Sequence, residues 1–419
     1  MDSKTGLPAG WKWVRLGEVC EIFSGTSAPQ DEKYFENGRY PFVRVSDLGA
    51  IGRTTNLIEV KDYINELCLK ELNMVKASKG TILFPKSGAA ITTNNRAILG
   101  IDAFIVSHLA AVKPKENIAE THFVYYWLYL TDMVQYMDNM GYPSLKLSTI
   151  SSIQIPLPPL SEQKRIAAKL QEMMSEIDQA RTACEKQLEA AKSLSPAYLR
   201  EVFESSEAKK WQKKKLGEVI KSTQSGTWGD EPFEAPKEEV YIVIRSTEID
   251  HKGVISIKDE KVAQRRVKPE TARKYFLKPN DLLIVRSGGT TGKIILGRVG
   301  IYLGEPNKYL FSNFLLKVQA DENLVLPEFL WRYLNWDKFL EDNIPNLMRR
   351  TTGIQNLPMD EYFSVYIPLP SLSEQKRIAV YLKEKIDKAD KLRASIEKEL
   401  ETINSLPQSI LSKAFSRGL

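Results

Sequence analysis

The chain has 419 residues and a mass of 47.6 kDa, too long for one ordinary hydrophobic core and of a size for two or three domains. Its 42% hydrophobic and 27% charged residues are globular averages, and no apolar run is long enough to span a bilayer, so a soluble protein is expected. The 59 basic and 53 acidic side chains give a net charge of +6, a mild lean towards anionic partners that separates few function classes by itself. Three scattered cysteines (Cys20, Cys68, Cys184) and a start, MDSKTGLPAGWKW, without an apolar signal stretch point to a reducing cytoplasm.

In chain order, the first globular stretch opens with WKWVRLGEV at 11–19. It continues through short β-rich runs broken by Gly, Pro and Asn, among them FVRVSDL at 42–48 and TILFPKSG at 81–88. TTNNR at 92–96 precedes an aromatic amphipathic helix around HFVYYWLYL at 122–130, whose Tyr126 and Trp127 are expected in the core. After MGYPSLK at 140–146 comes IPLPPLSEQKRIA at 155–167, where prolines, Ser161 as N-cap and Glu162 and Gln163 in the first turn predict a helix start. Apolar residues then recur at Ile166, Leu170, Met174, Ile177, Ala180, Cys184, Leu188 and Ala191, close to the coiled-coil period. Pro196 is expected to interrupt this helix and leave a short terminal one.

Beyond it the chain repeats itself. WQKKKLGEV at 211–219, VIRSTEI at 243–249 and LLIVRSGG at 282–289 parallel the earlier runs, placing Arg245 opposite Arg44, Arg286 opposite Lys86 and Ser287 opposite Ser87. EFLWRYLNW at 328–336 supplies a second aromatic helix with Trp331 and Tyr333, and RRTTGIQN at 349–356 stands opposite MGYPSLK. IPLPSLSEQKRIA at 367–379 then repeats the first helix start with twelve identities in thirteen at an offset of 212, with Ser373 as the expected N-cap. The stripe follows again at Ile378, Leu382, Ile386, Ala389, Leu392, Ile396, Leu400 and Ile403, before Pro407.

The order globule, helix, globule, helix favours an antiparallel helix pair, because a parallel pair would need the second globule to span the helix length. The expected fold is α+β: two α/β domains at 1–155 and 207–367, separated by an antiparallel coiled coil of two long helices at 156–206 and 368–419, with a pseudo-twofold internal repeat. Such heads, held roughly 50 Å apart or somewhat less by helical rise, suit two unlike half-sites on DNA. A scaffold whose heads bind proteins fits the same geometry.

Enzymatic chemistry is hard to find. SGGTTGKI at 287–294 nearly spells a phosphate-binding P-loop, but Ser287 replaces the first glycine and Ile294 the magnesium-binding hydroxyl. A nucleotide-dependent enzyme built on Lys293 stays an alternative, as does a loop that holds DNA phosphate. No dinucleotide fingerprint and no amino-methyltransferase tetrapeptide occur, and His108, His122 and His251 lie far apart, so no metal is expected.

With its paired xPLPxLSEQKRIA helices, LGEV segments, GxILxxxSG segment and doubled arrangement, the whole chain resembles the specificity subunit of type I restriction-modification systems. That resemblance implies two target recognition domains, each reading half of a bipartite double-stranded DNA site. It implies helices that set the spacing and dock two modification subunits, through Ser161, Gln163, Arg165, Ile166 and Leu170 and their equivalents Ser373, Gln375, Arg377, Ile378 and Leu382. The chain would hold no cofactor: S-adenosylmethionine for adenine-N6 methylation, and ATP and Mg for a restriction subunit, would sit on its partners. Candidate DNA contacts are Arg44, Lys86, Ser87, Asn94, Asn95, Arg96 and Lys146 in the first unit. In the second they are Arg245, Arg286, Ser287, Lys293, Arg349, Arg350 and Gln355. For Arg44 and Arg245, ion pairs to Asp47 and Glu248 are an equal expectation.

Overall fold

A computed structural model describes residues 7–50, 55–137, 143–233, 236–257, 262–289, 296–351 and 354–417. The chain divides into two compact units, one of Met1–Lys186 with Glu397–Leu419 and one of Gln187–Ile396. Each therefore contains one globular head and a stretch of both long helices.

In the first unit a five-stranded sheet runs in the order Cys20–Ser24, Leu109–Pro114, Ile82–Pro85, Ala97–Leu99, Asn56–Leu57. A second sheet orders Asp62–Ile64, Tyr40–Val43, Ala103–Ile105 and Lys76–Ala77. Successive side chains of a strand point to opposite faces. Ile82 and Phe84 accordingly pack with Phe123 and Tyr126 of the aromatic helix Thr121–Leu130, while Leu83 packs with Phe42 and Ile105 of the other sheet. Burial on both faces explains why these strands read as continuous apolar runs.

The second unit repeats the plan. Ile220–Ser225, Leu315–Ala320, Leu282–Val285 and Val299–Ile301 form its main sheet, and Ala263–Arg266, Val240–Ile244 and Leu310–Phe311 a second one. The aromatic helix Pro327–Leu334 buries Trp331, with Tyr333 packed against the same core. In both units a two-stranded ribbon closes the head: Lys12–Arg15 with Gln154–Leu157, and Gln212–Lys215 with Tyr366–Leu369.

The long helices run Leu160–Phe203 and Leu372–Arg417. Three expectations about them need correction. Helix starts at Leu160 and Leu372, one residue before the serines named as caps; in the second helix Ser371 takes the role, its Oγ accepting from the Glu374 amide at 3.3 Å. Neither Pro196 nor Pro407 ends its helix. An interior proline costs about 3 kcal/mol, and that cost is offset by what lies beyond it. Phe203 packs on Phe329, Tyr333 and Trp336 at 5.9, 5.1 and 5.5 Å between ring centroids, and Phe415 on Phe123 and Trp127 at 5.0 and 5.2 Å. Leu392 departs from the apolar seam and is 48% exposed.

Within each unit the helix segments are antiparallel, as the topology argument requires. In the first, Arg181 donates to Asn404 at 2.8 Å while Phe415 reaches the aromatic helix over which Ile166 and Leu170 lie. In the second, Glu201 meets the Tyr381 hydroxyl at 3.1 Å and Lys385 stands over the Tyr198 ring. The repeat thus exchanges partners: the end of the first helix completes the second head, and the end of the second helix completes the first.

Most of the side chains assigned to partner docking are used inside the chain instead. Gln163 and Gln375 are each 0% exposed. Gln163 accepts from the Glu120 amide at 2.8 Å and donates to the carbonyls of Ile118 and Pro158 at 3.0 and 2.9 Å. Gln375 does the same with the Leu326 amide and the Leu324 and Pro370 carbonyls at 2.8, 2.9 and 2.9 Å. Both glutamines clamp the loop before the aromatic helix to the start of the long helix, and Ile166, Leu170, Ile378 and Leu382 are buried against the heads. Ser161, Arg165, Ser373 and Arg377 stay exposed, the arginines paired with Glu162 and Glu374 at 2.7 and 2.5 Å.

Candidate nucleic-acid interface

Three loops that are far apart in sequence meet at one edge of each head. In the first unit the Leu145 amide donates to the Lys86 carbonyl at 2.8 Å, Gly88 N to Pro143 O at 2.9 Å, and Lys86 N to His108 O at 2.9 Å. Ser87 bridges to Ser144, and its Oγ lies 2.5 Å from His108 Nδ1. In the second unit the Leu357 amide donates to the Arg286 carbonyl at 2.8 Å and Arg286 N to Phe314 O at 3.0 Å. Here the contact grows into a three-stranded sheet of Ser287–Gly289, Ile354–Asn356 and Arg349–Thr351. The SGG loop and RRTTGIQN are thereby joined, as are KSG and the PSLK end of its counterpart.

A repeated triplet, outside the motifs that the sequence patterns single out, shapes this edge. Ser24-Gly25-Thr26 and Ser225-Gly226-Thr227 recur at an offset of 201. A Cβ on Gly25 would stand 1.9 Å from the Ile105 carbonyl oxygen, and one on Gly226 2.2 Å from that of Ser312, so only glycine fits. The threonine amides then bond Ile105 O and Phe311 O at 3.1 and 2.9 Å, fixing the loop that presents His108 or Asn313. Two copies of one short triplet were the available signal.

On the other side of that loop sit Arg44 and Arg245. Arg44 pairs with Asp62 and stacks over Phe35 and Phe42, while Asp47, the partner expected for its side chain, accepts instead from its backbone amide at 2.6 Å. Arg245 does pair with Glu248, at 2.7 Å, and the same carboxylate accepts from the Arg245 amide at 2.6 Å. Both acids hold the turn after the strand, and hydrogen bonding to Glu248 raises the Arg245 pKa.

Other candidates divide clearly. Lys86 has no ion-pair partner among the described residues, and Lys146 is exposed ahead of the short helix Leu147–Ser152. Arg286 spends two N–H groups on the Asn313 carbonyl at 3.1 and 2.9 Å, and Ser287 Oγ donates to Asn356 Oδ1 at 2.7 Å. Asn94 takes a left-handed conformation, φ 55°, and donates to Tyr129 O at 3.1 Å, while the Asn95 amide lies over Gly49. Lys293 and the side chains of Arg349 and Arg350 lie outside the described residues.

Arg96 is a correction. It is 6% exposed, its guanidinium donates to Leu128 O and Thr131 O at 2.7 and 3.0 Å, and burial draws its pKa down to about 10. It satisfies the orphan carbonyls at the end of the aromatic helix. The second unit makes the same tie from the helix side, where Asn335 bonds both Val299 backbone groups and Trp331 O. The difference between the repeats at this point therefore reflects exchanged structural partners. Gln355, 4% exposed in the middle strand of the small sheet, is likewise turned inward.

Among the described residues no helix is long and apolar enough to cross a membrane, and no three His, Cys, Asp or Glu side chains come together as metal ligands.

Comparison with known proteins bears on the chain as a whole. A family model described as the type I restriction modification DNA specificity domain matches the chain twice, at residues 8–190 and 208–402. The MjaIX specificity subunit of Methanocaldococcus jannaschii is 36% identical over 158 residues, about a third of each chain (36% and 35%). The EcoKI specificity subunit of Escherichia coli K12 is 21% identical over 427 residues, 98% of this chain and 89% of that one. Two solved structures share the fold. One is a chain from a study of type I R-M system assembly and conformational transition, with TM-score 0.72, 21% identity and 99% of each chain covered. The other is the HsdS subunit from Thermoanaerobacter tengcongensis, with TM-score 0.57, 22% identity and 99% and 98% covered. None of these supports the nucleotide-enzyme or protein-scaffold alternatives, and two matches over nearly the whole length place this chain in the type I restriction-modification DNA specificity family.

Proposed function

We propose that the chain is the non-catalytic, sequence-reading subunit of a type I restriction-modification enzyme, with residues 1–155 and 207–367 each reading one half of an asymmetric bipartite site. One observation carries this reading: equivalent loop junctions, held by the same backbone bonds to Lys86 and Arg286, display unlike side chains in the two heads. Backbone-fixed loops position, and their differing side chains specify. Lys86, Ser87, Asn95 and Lys146 are the proposed contacts in the first head. Arg286, Ser287, Arg349, Arg350 and Lys293 are those in the second. Arg44 and Arg245, paired at the rim, would exchange a carboxylate for phosphate. The helices 156–206 and 368–419 set the spacing and dock two modification subunits through exposed positions such as Arg165 and Arg377. Those partners would carry S-adenosylmethionine and methylate adenine at N6, an ATP- and Mg-dependent restriction subunit would join them, and all would work in the cytoplasm on double-stranded DNA.

The test is to co-express the chain with its modification subunits and map methylated adenines. A bipartite motif is expected, and exchanging residues 1–155 for those of a relative should change one half of it only. Absence of a bipartite motif, or an unchanged motif after the exchange, refutes the reading.

A further inference from the structure

The ribbon that closes the second head carries a cluster of lysines with no counterpart of equal charge in the first. Lys209 and Lys210 lie on the turn before it, and Lys213, Lys214 and Lys215 occupy its strand Gln212–Lys215, paired with Tyr366–Leu369. All but the half-buried Lys214 are exposed, and none of the five has an ion-pair partner among the described residues. Of the acids just before it, Glu204 pairs with Lys338 at 3.5 Å, and Glu207 forms no ion pair with any of the five lysines among the described residues. Glu218, on the following turn, pairs with none of the lysines. The equivalent first ribbon bears only Lys12 and Arg15.

This cluster is remote from the candidate reading edge. Ile220 pairs with Ala320 at the ribbon end of the main sheet, whereas Ser225 pairs with Leu316 at the end holding Gly226, Ser312 and Arg286. The six-residue strand between them spans roughly 20 Å. Five like charges close in sequence with no direct ion pair repel one another, and an anionic ligand relieves that repulsion. Protein–protein interfaces are depleted in lysine and enriched in arginine and aromatics, whereas sequence-independent binding to nucleic acid runs on phosphate contacts from lysine as well as arginine. Along the strand Lys213 and Lys215 share a face about 6.7 Å apart, a spacing at which neighbouring ammonium groups can follow a phosphate backbone.

We infer that this ribbon is a second, sequence-independent binding surface for the phosphate backbone of duplex DNA, separate from the reading edge and present in the second head alone. It rests on the reading of the chain as a DNA-binding subunit. Duplex that curves past the recognition site, or a second duplex, would engage it, adding affinity without adding specificity.

The test uses the full chain assembled with its modification subunits, a labelled 40-base-pair duplex lacking the methylation motif, and binding constants from about 50 to 200 mM KCl. For Lys213→Gln/Lys215→Gln the slope of log K against log salt should shrink by about 1.8, at roughly 0.9 per phosphate contact, which makes the affinity lost over that range on the order of 12-fold smaller than for the parent. The corresponding Arg variants should keep the parental slope, Lys209→Gln/Lys210→Gln should reduce it without touching the strand, and the methylation motif should not change. An unchanged slope in both Gln variants overturns the inference. So does weakened assembly with the modification subunits at an unchanged DNA slope, which would mark an acidic protein partner. Loss of the motif in the parent would instead sink the functional reading.

Discussion

Replacing Gln163 with leucine separates two roles for the SEQKRIA glutamine. Its amide serves three backbone groups: the part-buried Glu120 N–H and Ile118 carbonyl, and the buried Pro158 carbonyl. Leucine fills a similar volume but leaves all three without partners. An orphaned buried polar group costs about 1–3 kcal/mol. Water can reach part of the loop, so the expected loss is roughly 3–4 kcal/mol. For a unit of about 200 residues that lowers its unfolding midpoint on the order of 10 °C. Thermal unfolding of the full chain, followed by circular dichroism and calorimetry, measures it. Gln375 makes the same three bonds in the other unit, so Gln375→Leu should cost the same and shift the other unit's transition. A loss below about 1 kcal/mol in either variant, with binding of the modification subunits abolished, would refute the clamp and restore a docking role.

Arg96→Met should cost about 2–4 kcal/mol by orphaning two carbonyls at a helix end, with the methylation motif unchanged; a relaxed motif at full stability would return Arg96 to the DNA interface. Burial opposes ionisation of Glu120, but hydrogen bonds from His122 and the Phe123 amide outweigh it and hold the carboxyl below its ordinary value. Its stabilisation is thus complete above the unfolded pKa of about 4.3 and is lost as pH falls through the lower folded value. Glu120→Gln, which keeps the cap, should flatten the acid limb of the midpoint–pH curve, and an unaltered limb counts against this assignment. The Tyr362 hydroxyl is fully buried with no hydrogen-bond partner among the described residues, and the equivalent position in the first unit is Ile150. Tyr362→Phe should leave stability unchanged or raise it by about 1 kcal/mol; a clear loss on chemical denaturation would reveal a hidden partner.

What the sequence determined by itself was everything carried by periodicity and repetition: two heads, two long apolar-striped helices, their antiparallel sense, and aromatic helices in the cores. These follow from local patterns and from a twelve-in-thirteen repeat. Other features depended on what lies opposite a residue in space. Pro196 and Pro407 read as breaks because a sequence does not display the ring contacts of Phe203 and Phe415 that hold the helix beyond them. Arg96 read as a DNA ligand because a guanidinium suited to base edges is equally suited to two carbonyls, and only the fold brings Leu128 and Thr131 to it. The glutamines of SEQKRIA read as docking groups although both are closed inside the chain. Pattern fixes which face of an element is apolar; tertiary structure decides which polar groups are left facing solvent, because hydrogen-bond satisfaction depends on partners distant along the chain.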